Sequence, residues 1–533
     1  NIVLSGDNSF AGGIEVGQGA QGGFAKVLVG STSAMGTGQV GFRDGSAIIF
    51  TDGLSNTGNV VNNFNAIRGG ANTAFVNQAA TGPGLGTGTG GAIRLTGNIT
   101  NNQGFSSIRF QGYAADDTHI SELVLAGANN WSNGTSQDFD GAAATTTKLF
   151  AAGPGGLLLG ATANATGTPN SAIDLPGNAN YQNGAWGFVR FDGNASLNSG
   201  GTGTAYYAAP RVAGTGGEGQ FGFLLTGGST YAAPAGKSFV IGSLGAGTQV
   251  GGTFGAAEGE ATLESTTINV HADAAGDAQK LLLFARNAAD KLVLGKTSSP
   301  VVIRPTTGDS AGTAPANSAA TALAARIGGT TLVKRGAGAV DFDNVEFTSV
   351  GGTANDIRSQ FSLLVDEGLL NYNQMDETLP AFASVTVDTG GSLGGKGSMN
   401  ANVTVSGGNV EPGTSIGDMK INGSLTLGGS LVSELSGDGP GAADLLDVVG
   451  VLDLTGASLV LKNIGTEDLN DGPYVIAKYG SRVGEFASVP ANFSVNYNYN
   501  GNSIAVTANV VPEPASIGLL ALGSIALLRR RRA

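Results

Sequence analysis

Short apolar pairs recur at a constant step in the C-terminal third of the chain. Val385-x-Val387 is followed by Val403-x-Val405, and Ile421 falls at the same interval after Val403. Leu425-x-Leu427 continues the pattern, and glycine-rich turns separate the pairs. One short strand per step of roughly 20 residues is typical of a β-solenoid, since each coil buries its apolar face only against its neighbours. The repeat therefore predicts an all-β fold of stacked coils.

A second repeat lies nearer the N-terminus. The stretch NIVLSGDNSFAGG opens the chain, and ELVLAGANNWSNG begins at Glu122 with the same spacing. Alternating apolar residues such as Ile2 and Leu4 predict a strand with one apolar face. The Gly-x-Asn that follows predicts a turn, after which we expect Phe10 and Trp131 to cover the core of the next coil.

Glycine and asparagine fit the corners of such coils. Glycine accounts for 90 of 533 residues, about 17% where roughly 7% is usual. Tight corners need backbone conformations with positive φ, which glycine adopts freely and asparagine tolerates. We also expect asparagine side chains to form hydrogen-bonded ladders between coils. Apolar residues reach 41% and charged residues only 13%, a balance that favours a folded chain over a disordered one.

Charge and cysteine content exclude several function classes. The net charge is −13, and no basic stripe exists outside the last few residues, so we expect no nucleic-acid partner. The chain has no cysteine, which excludes disulfides, thiolate zinc sites and a cysteine nucleophile. It starts at Asn1 without a signal peptide, and we interpret it as a fragment or processed form whose export signal is missing.

The repeats divide the chain into four predicted regions. Residues 1–327 form an irregular β-helix, and residues 328–465 form regular coils. Residues 466–510 form a terminal β-strand cap, and residues 511–533 form a separate tail. The alanine-rich stretch from Ala314 to Ile327 marks the first boundary; it is either a helix or an excursion loop.

Several of these stretches resemble a known family of repeats. LSGDNSFAGGIEVGQG, LVKRGAGAVDF and LGGKGSMNANVTVSGGNVEPGTSIGDMKINGSLTLGG are similar to the autotransporter-associated β-strand repeats of large bacterial surface proteins. The similarity is strongest at the N-terminus and from about Gly328 onward. It implies a right-handed parallel β-helix exposed outside the cell, equivalent to the passenger part of those proteins only.

The tail VPEPASIGLLALGSIALLRRRRA combines three features in order. Residues 515–528 carry no charge, and as a helix they would extend about 21 Å, short of a roughly 30 Å hydrocarbon core. Arg529, Arg530, Arg531 and Arg532 would stay on the cytoplasmic side and stop the membrane segment. A buried C-terminal helix, a permanent short anchor and a signal that is later removed are the three interpretations, and the length favours the last.

The same tail resembles the PEP-CTERM sorting signal. Pro512, Glu513 and Pro514 are followed by the short apolar segment and the basic end, as in that family. The resemblance implies export, transient insertion of residues 515–528 into the membrane as a short hydrophobic helix, and processing by an exosortase-type membrane protease. It also implies a location at the cell surface or in the extracellular matrix of a Gram-negative bacterium that makes extracellular polysaccharide, the expected partner.

Candidate catalytic groups are few. GTSIG, residues 413–417, matches the Gly-x-Ser-x-Gly nucleophile elbow, but both histidines precede Ser415 and no helix pattern follows it. Carboxylates stand in pairs that could bind calcium or act as acid and base: Asp116–Asp117 near His119, Asp341 and Asp343, and Asp444 and Asp447. We interpret them instead as solvated carboxylates at coil edges.

These patterns predict an exported, non-enzymatic protein of the cell surface or matrix, with a structural, adhesive or polysaccharide-associated role. No catalytic residue, metal ligand or cofactor is predicted. The alternative is a β-helix carbohydrate-active enzyme, either a polysaccharide lyase or a hydrolase. That alternative requires acidic or basic residues stacked at one coil position, and the sequence pattern indicates no such stack.

Overall fold

The computed structural model describes the chain from residue 2 to residue 509 with gaps. The described residues are 2–17, 25–43, 46–50, 59–68, 73–77, 91–101, 108–112, 120–128, 130–131, 136–137, 143–144, 149–152, 186–193, 205–208, 221–235, 238–242, 252–272, 279–307, 329–348, 356–439, 442–469 and 472–509. The predicted helix or loop at 314–327 and the whole tail from residue 510 lie outside them.

The first two sheets belong to the N-terminal region. Sheet 1 contains β1 (Ile2–Leu4), β3 (Lys26–Val29), β5 (Ala47–Phe50), β8 (Thr73–Asn77), β11 (Ile108–Gly112) and β16 (Leu149–Ala152). Sheet 2 contains β2 (Ile14–Val16), β4 (Val40–Arg43), β7 (Phe64–Arg68), β10 (Ile99–Asn101) and β13 (Asn130–Trp131). A separate antiparallel pair consists of β14 (Ser136–Gln137) and β15 (Ala143–Ala144).

Sheet 3 is the longest and runs through most of the chain. Its strands are β6 (Asn59–Val60), β9 (Gly91–Leu95), β12 (Ile120–Leu125), β17 (Trp186–Phe191), β19 (Phe221–Thr226), β22 (Gly252–Ala257), β25 (Gln279–Ala285), β28 (Thr330–Arg335), β31 (Phe361–Val365), β33 (Ser384–Val387), β35 (Ser398–Met399), β36 (Val403–Val405), β38 (Asp418–Ile421), β39 (Leu425–Leu427), β42 (Leu445–Asp453), β44 (Tyr474–Val483), β45 (Phe493–Tyr499) and β46 (Ser503–Ala508).

Two further sheets complete the coils from residue 205 onward. Sheet 4 contains β18 (Ala205–Ala208), β21 (Ser238–Gly242), β24 (Thr266–Ala272), β27 (Val301–Thr307) and β30 (Val345–Phe347). Sheet 5 contains β20 (Ser229–Tyr231), β23 (Glu260–Leu263), β26 (Lys291–Leu294), β29 (Ala339–Phe342), β32 (Gly368–Tyr372), β34 (Gly391–Gly395), β37 (Asn409–Pro412), β40 (Ser430–Ser436), β41 (Ala442–Ala443) and β43 (Ser458–Asn463). A single 3₁₀ turn covers Arg358–Gln360 among the described residues.

The chain visits the sheets in rotation, and each strand pairs in parallel with the strand one coil later. For example, β25, β26 and β27 follow one another in sequence but lie in sheets 3, 5 and 4 and pair with β28, β29 and β30. Parallel partners that recur after each circuit build stacked coils. The predicted all-β, solenoid-like fold is therefore confirmed. The right-handed sense of the coil and the C-terminal helix stay predictions.

The predicted constant step holds for one coil only. Val385 pairs with Val403, as expected, but Val403 pairs with Leu425 rather than with Ile421. Ile421 belongs to β38, which pairs with β35 and β42. The assignment of Ile421 to the next step of the repeat was therefore wrong, because the turn between β37 and β38 is longer than the one between β34 and β35, and Ile421 lies in the strand equivalent to β35.

Earlier coils are longer than those of the C-terminal third. Phe223 pairs with Phe254, a much wider step than the one from Val385 to Val403. Both coils contain three strands, but the strands and connections of the earlier coil are longer. Thirteen successive parallel pairings connect β6 to β44, which at about 4.8 Å each gives a length of about 60 Å. Coils of about 20 residues throughout would give some 500 residues a length of about 120 Å, so the longer coils make the stack shorter than a uniform repeat predicts.

Apolar side chains of all the sheets share one continuous core. In sheet 5 the inward row includes Leu292, Val340, Leu370, Leu393 and Val410, each fully buried. The side chains between these positions point to the opposite face. In sheet 3 part of that face is also buried, since Leu224, Leu282 and Val333 belong to a second apolar cluster. Phe10 is 41% exposed, and the expectation that it covers the core of the next coil was wrong. The structure does not describe the side chain of Trp131, so the expectation for that residue stays a prediction.

Side-chain ladders between coils are confirmed. Asn371 Nδ2 donates to Asp341 Oδ1 at 2.7 Å, and Asn409 Nδ2 donates to Ser392 Oγ at 3.2 Å. In both pairs the two residues are register partners on adjacent strands. The polar side chain thus continues the direction of the backbone hydrogen bonds, which fixes the register of neighbouring coils.

A buried lysine closes one of the turns. Lys334 is fully buried and donates to the carbonyls of Arg335, Gly336 and Glu367 at 3.0, 2.7 and 2.8 Å. Burial lowers the pKa of Lys334 to about 7. Gly368 has φ of 64°, and a Cβ there would lie 2.7 Å from Lys334 Nζ. A side chain at position 368 would therefore collide with the carbonyl of Gly336, at 2.3 Å, as well as with the lysine.

The last strands change direction. β44 and β45 both pair antiparallel with β46, which lies between them; we call these three strands the terminal antiparallel sheet. Tyr479 Oη donates to the carbonyl of Tyr497 at 2.6 Å and links β44 to β45. This arrangement covers the last parallel coil, within the region predicted as a cap. Across the described residues, no helix has both the length and the apolar character needed to cross a membrane.

Coil contacts at glycine predict a localised stability loss. A Cβ on Gly429 would lie 1.9 Å from the carbonyl oxygen of Gly408 in the preceding coil. Gly429→Ala should therefore destabilise these coils by about 1–3 kcal/mol. Gly439→Ala is the matched control, since its Cβ would meet nothing nearer than 3.8 Å. Chemical denaturation combined with hydrogen exchange of residues 403–435 measures both; equal effects of the two variants would contradict the stacking.

Candidate functional site

The predicted sorting residues Pro512, Glu513, Pro514 and Arg529–Arg532 lie outside the described residues. The described chain leads directly to them. β46 ends at Ala508, and the amide of Asn509 donates to the carbonyl of Asn492 at 2.7 Å. The tail therefore follows Asn509, whose backbone is hydrogen-bonded to the terminal antiparallel sheet region at Asn492.

A pocket forms where sheet 4 stops. β30 is the last strand that the described residues contribute to this sheet. Its open edge is covered by a side chain: Gln374 Oε1 accepts from the Val345 amide at 2.8 Å, and Gln374 Nε2 donates to the Val345 carbonyl at 3.2 Å. The Ile357 amide donates to the Phe347 carbonyl at 3.0 Å. The amide group of Gln374 thus replaces a neighbouring strand and ends the sheet.

Arg358 closes the core beneath this pocket. Its side chain is 1% exposed, donates to Tyr372 Oη at 2.9 Å and forms ion pairs with Asp356, at 3.1 Å, and Asp376. The guanidinium group lies over the rings of Phe347 and Phe382, 5.2 and 5.3 Å from their centroids. A planar cation can satisfy both aromatic and carboxylate neighbours in this way.

The pocket's polar atoms fall into two groups. Asp376 accepts from Arg358, from Tyr372 Oη and from Gln374 Nε2 at 2.6 Å. Burial holds the pKa of Tyr372 above its usual range, so its hydroxyl stays protonated and donates. Asp343 and Glu346, by contrast, are exposed at the rim. We call this recess of about 610 Å³ the end pocket; it is lined by Asp343, Glu346, Phe347, Arg358, Met375, Asp376 and their neighbours.

A second recess lies on the outer face of sheet 5. The row of register partners Asp341, Asn371, Gly394 and Glu411 runs along this face. Gly394 packs closely against its neighbours, since a Cβ there would lie 2.6 Å from the Glu411 carbonyl oxygen. A recess of about 280 Å³ is lined by Asp341, Asn371 and Glu411, with the turn at residues 412–415 as one wall; we call it the side groove.

Asp444 supports that wall. It is 1% exposed and accepts from the amides of Gly417 at 3.0 Å and Glu434 at 2.7 Å. Burial raises the pKa of Asp444 to about 6, against the lowering effect of these two amides. Burial also raises the pKa of Asp341, which is hydrogen-bonded to Asn371 and lies 3.4 Å from Lys291 Nζ.

The structure corrects the interpretation of the paired carboxylates. Asp341 and Asp444 are buried, so describing them as solvated was wrong; Asp343 is exposed as expected. They became buried because neighbouring coils and turns cover them, which local sequence spacing does not reveal. Asp116, Asp117 and His119 lie outside the described residues. Ser415 sits in a turn followed by β38, without the helix that a nucleophile elbow requires.

Geometry limits the chemistry of the side groove. Asp341 and Glu411 are three strand spacings apart in one row, about 14 Å at about 4.8 Å per spacing. Paired carboxylates of glycosidases lie about 5–9.5 Å apart, so these two do not form such a pair. Among the residues described, no group of three or more histidines, cysteines or carboxylates could hold a metal ion.

Comparison with known proteins identifies the tail. Residues 510–532 match the PEP-CTERM protein-sorting motif, as predicted for Pro512, Glu513 and Pro514 and the residues that follow. The motif indicates exosortase-dependent export to the cell surface. The match covers the tail and not the solenoid. No curated protein matches the chain.

Removing the buried arginine should weaken the end pocket. Arg358→Met leaves Asp356 and Asp376 without their cation, which typically costs about 3–5 kcal/mol when the partners are buried. Lys420→Met removes a nearby exposed ion pair, Lys420–Glu377 at 2.9 Å, and should change stability little. Denaturant titration of both variants tests this; a small effect of Arg358→Met would show that the cluster does not hold the coil closed.

The side groove should respond to pH through Asp444. Because its pKa is raised from 3.8 to about 6, the folded state binds more protons than the unfolded state between these values, and stability falls as the pH rises through this window. Asp444→Asn should remove about 1–2 kcal/mol of this pH dependence, and Asp468→Asn, a change at an exposed carboxylate, is the control. Denaturation at pH 4, 5, 6 and 7 measures the difference; parallel profiles for wild type and Asp444→Asn would contradict it.

Proposed function

We propose that this chain is a non-enzymatic protein of the cell surface or extracellular matrix, delivered through its C-terminal tail by an exosortase-type system. The single observation that carries the proposal is the sorting-motif match at residues 510–532. This motif directly follows the terminal antiparallel sheet. In this proposal the solenoid is the exported domain, and the tail is its sorting signal.

The tail acts in three steps in this proposal. The apolar residues 515–528 enter the membrane, and Arg529–Arg532 stop them on the cytoplasmic side. The segment is too short to hold the chain comfortably across a roughly 30 Å core. An exosortase-type protease then recognises Pro512, Glu513 and Pro514 and removes the tail. The solenoid is released or attached outside the cell.

The role outside the cell is structural or adhesive, with association to extracellular polysaccharide. A stack of parallel coils displays its turns and outer rows along its whole length. The resemblance of LVKRGAGAVDF and related stretches to autotransporter-associated repeats supports the same role, since those repeats form exposed passengers with a right-handed parallel β-helix. The net charge of −13 suits a surface that stays hydrated and self-repelling outside the cell.

A carbohydrate-active enzyme is the second candidate. One observation favours it: Asp341 and Asp444 line the same groove with raised pKa values, and such groups concentrate at functional sites. Incubating the purified chain with a panel of polysaccharides tests this. Turnover of a polymer that disappears in Asp341→Asn would establish the enzyme, and no turnover on the panel would leave the structural role.

Replacing Pro512, Glu513 and Pro514 by alanine in the native host tests the proposed delivery. We expect the variant to keep its tail and to accumulate in the membrane fraction, with surface protein reduced at least about tenfold. Glu467→Ala, which changes an exposed carboxylate upstream, is the control and should reach the surface normally. Fractionation with immunoblotting measures both; equal surface levels of the triple variant and wild type would refute the proposed delivery.

A further inference from the structure

We infer that the end pocket and the side groove form one binding path for an extended glycan made of neutral or amine-bearing sugars, and that acidic glycans are rejected. This inference rests on the proposed polysaccharide association and names its site and the class of polymer. It does not depend on how the chain is exported.

The two recesses meet at a double ladder. Asn371 is hydrogen-bonded to Asp341, and Asn373 Nδ2 donates to Asp343 Oδ1, each at 2.7 Å. Asp341 and Asn371 line the side groove, whereas Asp343 and Asn373 line the end pocket. Asp343 and Asn373 directly follow β29 and β32 and come two residues after Asp341 and Asn371, a separation of at most about 7 Å. Since Asp341 and Asn371 are buried, a polymer passes from one recess to the other across the exposed Asp343 and the half-buried Asn373.

The path offers hydrogen-bond acceptors and very little free positive charge. The carboxylates of Asp343 and Glu346 are exposed at the rim of the end pocket. Among the pocket's described lining residues the one cation is Arg358, which is already engaged by Asp356 and Asp376. In the side groove Lys291 and Lys462 lie within 3.4 Å and 3.9 Å of Asp341 and Glu411. Hydroxyl and amine donors fit this lining, and uronate or sulfate groups are repelled.

The end pocket has an exposed apolar side chain on its lining and two buried polar atoms beneath it that lack a partner in the described part of the chain. Met375 is 72% exposed on its lining, beside Leu379, and a flexible apolar side chain suits contact with the C–H face of a sugar ring. Arg358 Nε and Thr348 Oγ1, both in the lining, lack a hydrogen-bond partner within the described part of the chain. Its volume of about 610 Å³ lies in the usual range of small-molecule sites.

A peptide or a metal ion fits the path less well. Peptides commonly bind by adding a strand to an open sheet edge, but the edge of β30 is occupied by Gln374 and Ile357. A divalent cation needs several oxygen ligands converging on one point, and the described residues contain no cluster of three candidate ligands. The glycan is therefore the occupant that these observations favour.

Binding of the full-length purified chain to three soluble polymers tests the inference: a neutral glucan, chitosan oligosaccharides and alginate. Calorimetry should show binding to the glucan or to chitosan and none to alginate. The pocket variant Glu346→Gln/Met375→Ala should weaken that binding at least tenfold without lowering the melting temperature, since both side chains are exposed. Thr404→Ala, on the outer face of sheet 3, should bind like wild type.

Three results would overturn the inference: binding to alginate that equals or exceeds binding to the other polymers, no binding to any polymer, or equal binding by the pocket variant and wild type. Fractionation of cells expressing the pocket variant separates this from the proposed function. Normal surface delivery combined with any of these results would overturn the binding path and leave the delivery mechanism in place.

Discussion

Parallel hydrogen bonding between successive coils is the constraint on which the rest of the structure depends. A coil of this chain has too few apolar residues to enclose a core, and only the coils above and below it complete the burial. The inward row through Leu292, Val340, Leu370 and Leu393 shows the consequence, because register partners in consecutive coils supply one unbroken apolar column. Where a strand is missing from the stack, side chains must cover the backbone edge and the core that it leaves open.

The candidate site arises at such breaks. Sheet 4 loses its next strand after β30, and the chain covers the open edge with Gln374 and the open core with Arg358. On the outer face of sheet 5 the irregularity is the longer turn between β37 and β38, whose residues 412–415 form one wall of the side groove. Both recesses therefore result from irregularities in the coil, and regular neighbours hold their polar groups in place.

The repeated parts of this fold can be predicted from sequence better than the irregular ones. The Val385–Val403 step and the hydrogen-bonded asparagine pairs follow from alternation and turn composition, which are local properties. The position of Ile421 could not be predicted, since turn length decides which of two apolar pairs continues the coil. The longer coil that joins Phe223 to Phe254 could not be predicted either, because its long glycine-rich connections obscure the period.

Buried charge was the other feature that sequence reasoning missed. Lys334, Arg358 and Asp444 would be expected at the surface from the sequence pattern, and each is buried by a neighbouring coil or turn. By contrast, the sorting tail needs no tertiary context, since its three parts follow one another in sequence.

The central claim is that a self-stacked β-solenoid is carried to the cell surface by a tail that is then removed. Mass spectrometry of the mature protein's C-terminal peptide, taken from the surface of the native host, tests it most directly. The account predicts a chain that retains the terminal antiparallel sheet through Ala508 and lacks residues 515–533. Surface protein that still ends in the four arginines and Ala533, or recovery of the chain from the cytoplasm alone, would contradict it.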